Sequence, residues 1–337
     1  MARLVLIADD LTGALDGAAP FAAVSGGVAV AASVAYLPAA LATGAAVVAV
    51  STRSREAGAD RARDRVAQVR AALPPGARLF KKIDSRLKGP IAAELSCLDG
   101  PLLVAPAIPD FGRTVSAGAV RGFGVDRPLP VAPVLGAAAA RAVVPDTETA
   151  ADMDAALRAA PDDAVLVGAR GLAQALAAAW GLAPVTLDAA LPAPACFVVG
   201  STDPITRAQV AALAGTATLI EAPGGRLPPP PPRLSRATVL CTALAQDDAG
   251  RVAAAFAGGA APWVAAARGV LLTGGATAEA VLDRLGAGVL RLLGEALPGL
   301  PVARAGGRVY VTKSGGFGAP DALRRLLPAD GLATAGA

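Results

Sequence analysis

The side chains able to carry chemistry in this 337-residue chain fall into short clusters, each directly after an apolar run. In "LIADDLTGALDGA", Asp9 and Asp10 close the run, Thr12 and Gly13 turn the chain, and Asp16 follows. Adjacent side chains on a strand point to opposite faces, so one of Asp9 and Asp10 is expected to face a given ligand. A carboxylate there suits a base or a hydroxyl-binding group; helix capping by Asp10 or Thr12 competes for the same residues. "VSTRSREA" adds Ser51, Arg53, Ser54 and Arg55. Guanidinium forks grip carboxylates at two points, with a solvated loop as the alternative. "LFKKIDSRLKGP" packs Lys81, Lys82, Asp84, Ser85, Arg86 and Lys88 after the next run, a basic cluster suited to an anionic, hydroxylated ligand or to a charged surface. "APAIPDFGRTVSAG" places Asp110, Arg113 and Thr114 on a Pro- and Gly-constrained loop, where binding groups are commonly carried.

The C-terminal half has a different vocabulary. "VVGSTDPITRAQV", "LLTGGATAEAV" and "VTKSGGFGAPDAL" each pass from an apolar run to a helical pattern through glycines and hydroxyls. Amides at a helix N-terminus attract phosphate, and glycine lets a ligand approach the backbone. One such turn is as readily a packing feature; three in one half point to a nucleotide.

Composition removes whole classes of chemistry. Histidine is absent and the cysteines Cys97, Cys196 and Cys241 are scattered, so neither a Cys/His zinc cluster nor a His-dependent nucleophilic triad can form. No residue is assigned as a metal ligand. The net charge of +4 forms no basic arm and aromatics are 3%, which argues against a nucleic-acid partner. Neither a G-x-x-x-x-G-K-[ST] loop nor a G-x-G-x-x-G after the first run occurs, demoting P-loop ATPases and dinucleotide-dependent dehydrogenases. Residues 17–52 carry no charge, but Pro20, Gly26, Gly27, Pro38 and Gly44 interrupt them, arguing against a membrane span. With an N-terminus that reads as a strand rather than a leader and an odd number of cysteines, the expected compartment is the cytoplasm.

The elements that must position these clusters alternate. Apolar runs such as 3–10, 26–33, 45–52, 77–84 and 101–108, and later 163–169, 196–202, 236–244, 268–275 and 308–316, are separated by Ala-rich helical patterns. Clear helices are expected over 58–73, 205–215, 246–258 and 277–297. This rhythm predicts an α/β fold of two domains, each a mostly parallel sheet flanked by helices, divided as 1–190 and 191–337. Pro228 to Pro232 read as a surface loop or spacer.

Taken in order, "ADDLTGALD", "STRSR", "KKIDSRLKG", "APAIPDFGRT", "GSTDPITRAQV", "TGGATA" and "TKSGGFGAPDAL" resemble the four-carbon acid sugar kinase family over nearly the whole chain. The resemblance implies an N-terminal domain for a tetronate-type acid sugar, a C-terminal domain for ATP with Mg²⁺, and phosphoryl transfer to a terminal sugar hydroxyl in an interdomain cleft. It places Asp9, Arg55, Lys82, Ser85 and Arg113 on the substrate, and Asp10 or Asp84 as the carboxylate near the attacking hydroxyl. Ser201, Gly274, Gly275, Ala276, Thr277, Gly315 and Gly316 become the nucleotide contacts. The partners implied are the small acid sugar and ATP, with a homo-oligomer as a further possibility. The sequence departs from the family pattern at Leu15, at Arg86 and Lys88 of "KIDSRLKG", and at Ala276, where the family carries an acid. A weakly active or non-catalytic binding protein of the same fold is the principal alternative, and a hydroxy-acid dehydrogenase a lesser one.

Overall fold

The computed structural model describes residues 2–242 and 249–329. The chain divides into two compact units, residues 1–185 with 288–294, and 186–287 with 295–337. Against the single boundary expected at 190/191, the chain crosses between units three times.

The first unit is built on β1 (Leu4–Ala8), β2 (Val28–Ala31), β3 (Val47–Ser51), β4 (Arg78–Lys82) and β5 (Leu102–Ala105). A separate antiparallel sheet of β6 (Arg113–Ser116), β7 (Ala119–Gly122) and β8 (Leu129–Pro130) follows, then β9 (Ala142–Val143) and β10 (Val165–Gly168). In the main sheet β2, β3, β1, β4, β10, β5 and β9 are neighbours in that order, all parallel. Every residue of β1, β2, β3 and β5 is buried, as expected of strands covered on both faces. Helices α1 (Leu11–Ala18), α2 (Leu37–Ala42), α3 (Ala59–Ala71), α4 (Ile91–Leu95), α5 (Ala132–Leu135), α6 (Ala150–Ala159) and α7 (Arg170–Ala179) lie between the strands in sequence.

The second unit repeats the pattern with β11 (Ala195–Val199), α8 (Pro204–Ala211), β12 (Thr218–Ala222), β13 (Ala237–Thr242), α9 (Ala249–Ala265), β14 (Gly269–Thr273) and α10 (Gly275–Arg284). After β15 (Val289–Leu297) come β16 (Leu300–Ala305), β17 (Arg308–Lys313) and α11 (Ala322–Arg325). Strands β12, β13, β11, β14 and β17 run parallel in that order, with β16 antiparallel to β17. Pro228–Pro232 form an irregular, largely exposed loop, pinned where Trp263 Nε1 donates to Pro228 O at 2.9 Å. Of the expected helix over 246–258, residues 246–248 lie outside the described residues. Among the described residues, no helix is long and apolar enough to cross a membrane.

One expectation is overturned. The helix expected over 277–297 stops at Arg284, and 289–297 form a strand. Gly286 takes φ +63°, a conformation that terminates helices, and a Cβ on Gly288 would fall 2.1 Å from the Tyr36 ring. Beyond that break, burial alternates from Leu290 (buried) to Arg291 (exposed) to Leu292 (buried), the period of a strand, and the segment pairs antiparallel with β2. Good helix formers are thus overridden by the sheet edge they complete.

Candidate active site

In the first unit the candidate residues sit at the carboxyl ends of β1, β3 and β4, where open parallel sheets hold ligands. Strand β1 ends at Ala8, so Asp9 and Asp10 belong to the turn into α1. This corrects the expectation that they face apart. Arg55 holds both: its Nε and Nη2 donate to Asp9 Oδ2 and Oδ1, each at 2.8 Å, and its Nη1 and Nη2 donate to Asp10 Oδ2 and Oδ1 at 2.9 and 3.2 Å. Asp10 is also the α1 cap, accepting from Gly13 N at 2.7 Å and from Thr12 Oγ1 at 2.8 Å. Capping and site membership therefore fall to one residue.

Burial alone raises the Asp9 pKa, but the charge and hydrogen bonds of Arg55, helped by Lys81 and Lys82, carry it below the ordinary carboxylate value. For Asp10, burial and the neighbouring Asp9 outweigh Arg55 and Lys82, and its pKa is raised. The same two acids hold the Arg55 proton more firmly than usual despite burial.

Asp84, at the end of β4, accepts from Arg86 N at 2.8 Å through Oδ1 and lies 3.7 Å from Arg55 Nη1 through Oδ2. Lys82 Nζ donates to Ile83 O at 3.0 Å and lies 3.6 Å from where a Gly13 Cβ would be. Arg113, on β6, donates to Ser85 Oγ at 2.6 Å through Nη1 and to Phe123 O through Nε and Nη2 at 2.9 and 2.7 Å. Burial and the nearby Arg86 lower its pKa. Asp9, Asp10, Arg55 and Asp84 thus form one knot, with Ser85 and Arg113 joined to it through the 84–86 turn. Of the other acids considered, Asp16 is tied to Arg170 at 3.0 Å and Asp110 to Gln174 at 3.0 Å.

Beneath this knot lies a feature that the sequence did not reveal. Lys81 and Glu94, 0% and 1% exposed, form an ion pair at 3.0 Å. Ser54 Oγ donates to the other Glu94 oxygen at 2.5 Å, while Ser54 N and Arg55 N both donate to Asp9 O. The loop carrying Arg55 is therefore anchored from below. Glu94 sits in the five-residue helix α4, with no spacing to mark it.

In the second unit the three glycine turns follow β11, β14 and β17, which are adjacent and parallel, so their ends gather at one edge. A Cβ on Gly200 would fall 2.0 Å from Thr277 Oγ1, and one on Gly315 would fall 2.5 Å from Ser201 Oγ. Gly274, at φ +94°, gives α10 an N-terminus with no side-chain cap and no acid in its first turn. Its opening amides, at Gly275, Ala276 and Thr277, suit a phosphate. Ser201, Gly274–Thr277, Gly315 and Gly316 are thereby brought together.

Lys313, absent from the sequence-derived set, is fully buried at the end of β17. It donates to Thr206 Oγ1 at 2.8 Å, Ser314 O and Gly315 O at 3.1 Å, and Phe317 O at 2.9 Å. Burial pushes its pKa down to about 8, with Asp203 opposing. The signal was in view as the lysine opening "KSGG", but nothing in the sequence showed it turning under its own loop.

Comparison with known proteins adds a family. The family model of a sugar-binding N-terminal domain matches residues 4–130, and that of a nucleotide-binding C-terminal domain matches 229–323. A Cupriavidus necator protein named D-threonate kinase is 32% identical, with 95% of this chain and 96% of the relative covered. This chain belongs to the four-carbon acid sugar kinase family. A second family member bearing the same name, from Bordetella bronchiseptica, is 34% identical with 96% of each chain covered. The Cupriavidus alignment runs over 409 positions against 337 residues here, so that relative carries segments this chain lacks. Solved structures from Salmonella typhimurium LT2 (20% identity, TM-score 0.72) and Haemophilus influenzae (18%, 0.64) share the fold, each covering 96% of this chain and 98% of its own.

Proposed function

We propose that the protein transfers the γ-phosphoryl group of ATP to the terminal hydroxyl of a four-carbon acid sugar of the threonate class. The observation that carries this reading is the gathering of three glycine turns around the uncapped N-terminus of α10, in a chain whose other unit presents a carboxylate–guanidinium knot at a sheet end. The relatives' name, D-threonate kinase, supports the same substrate class.

ATP fits the second unit chemically. Gly315 and Gly200 leave no room for side chains where the turns meet, and the amides opening α10 have no side-chain cap, as suits a phosphate. Mg²⁺, when bound with the nucleotide, offsets phosphate charge.

In the first unit, Arg113, Arg86 and Ser85 supply positive charge and a hydroxyl for the sugar carboxylate. Asp10 accepts from four donors across its two oxygens, leaving little room for a substrate hydroxyl to donate to it as well. Asp84 Oδ2 has only the 3.7 Å approach of Arg55 among the described residues and is the better-placed acceptor. In the reaction, the bond from the γ-phosphorus to the β-phosphate oxygen breaks, a bond to the sugar oxygen forms, and the hydroxyl proton passes to Asp84.

Ala276 favours a second reading, in which the protein binds both ligands and turns over little, because the first turn of α10 carries no acid. Coupled measurement of ADP formation with threonate and erythronate, beside direct ATP binding, separates the two. Binding without turnover would replace the first reading by the second.

A further inference from the structure

Of the described residues in the three glycine turns (200–203, 274–277 and 314–318), Asp203 is the carboxylate. Its Oδ1 accepts from Ile205 N at 2.9 Å as the α8 cap, and its backbone N–H donates to Ser201 Oγ at 3.3 Å, so the side chain is held in place. Oδ2 has no hydrogen bond among the described residues and faces the turn after β17: a Cβ on Gly316 would lie 3.5 Å from it, and one on Gly315 would lie 3.1 Å from Asp203 Cβ. Lys313, which feels the Asp203 charge, directs the hydrogen bonds of its ammonium at Thr206 Oγ1 and three carbonyls instead.

Once a phosphate is bound beside it, a carboxylate oxygen without a hydrogen-bond donor is unfavourable, since like charges repel. A divalent cation between the two reverses the sign. Mg²⁺ keeps several waters and is ordinarily held by one or two carboxylates together with substrate phosphates, so no protein cage is required. Consistently, no group of three or more His, Cys, Asp or Glu side chains among the described residues comes together as one. Capping explains Oδ1 alone, because an Asn or Ser would cap equally well.

We infer that Asp203 is the protein's carboxylate for the Mg²⁺ of Mg–ATP, supplying from the turn after β11 the acid that Ala276 does not supply from the turn after β14. The inference rests on ATP being the ligand of the second unit.

The test is calorimetric titration of ATP with and without Mg²⁺ into the full-length wild-type protein, Asp203→Asn and the double variant Asp203→Asn/Ala276→Asp. Asn keeps the cap, and an unchanged melting temperature checks the fold. In the wild type, Mg²⁺ should tighten ATP binding by at least about tenfold, the scale on which groups around a metal set its affinity. Asp203→Asn should lose that gain while binding metal-free ATP as well as the wild type or better, and the double variant should recover part of the gain. Electron paramagnetic resonance with Mn²⁺ and ATP should show the bound metal signal weakened in Asp203→Asn and restored in the double variant. A full Mg²⁺ gain in Asp203→Asn would overturn this inference alone. A wild type that binds no ATP, with or without Mg²⁺, would overturn the kinase reading and this inference with it.

Discussion

The two candidate sites occupy equivalent places, the carboxyl ends of parallel strands, yet are made of different material. The first unit uses charged side chains: Asp9, Asp10 and Asp84 converge on Arg55, and the buried Lys81–Glu94 pair braces the loop behind it. The second uses backbone and small side chains, with a lysine spent on holding one turn in shape. The difference follows the ligands proposed. A small sugar acid is distinguished by where its hydroxyls and carboxylate lie, which calls for fixed side-chain donors and acceptors. A triphosphate presents a repeated anion, for which a cluster of amides is sufficient.

That contrast can be broken from either side. Glu94→Gln leaves the Lys81 ammonium buried without its counter-charge and should cost about 3–5 kcal/mol of stability. Chemical denaturation would measure it; a loss below about 1 kcal/mol would mean that the pair does not brace the site. Asp84→Asn keeps an acceptor for Arg86 N but cannot take a proton, and kcat should fall about 10²–10⁴-fold with ATP affinity unchanged. An unaltered kcat would remove Asp84 from the chemistry and return the role to Asp10.

The converse change alters no charge. Gly200→Ala forces a methyl against Thr277 and should weaken ATP binding about 10–100-fold, equivalent to the 1–3 kcal/mol typical of overpacking, while threonate binding is retained. Equal loss of both ligands would contradict the separation of roles. The smallest effect expected is on pH dependence. The Lys313 pKa is depressed to about 8, so its positive charge is present below that pH and is lost as pH rises through it. ATP affinity should therefore decline above pH 8, and Lys313→Met should flatten the profile. The chain has no histidine, which removes one common source of an inflection.

Much of this was legible in the sequence, for identifiable reasons. Fully buried parallel strands announce themselves as unbroken apolar runs, so β1, β3, β11 and β14 were placed, and the polar residues ending them followed. What escaped depended on contacts distant in sequence. Strand β15 is written in helix-forming letters and becomes a strand because Gly286 and Gly288 break the helix and the edge of β2 offers pairing. The orientation of Asp9 and Asp10 differs from the sequence reading because β1 ends at Ala8, two residues short of Asp10. Glu94 and Asp203 acquire meaning only from what the fold sets beside them.

The central claim is tested most directly by following ADP release from purified protein given ATP, Mg²⁺ and, in turn, threonate, erythronate and their keto forms. ADP release that depends on one of these acids, with a phosphorylated four-carbon acid formed in equal amount, is the predicted result. ATP bound but not consumed with any of them would contradict it.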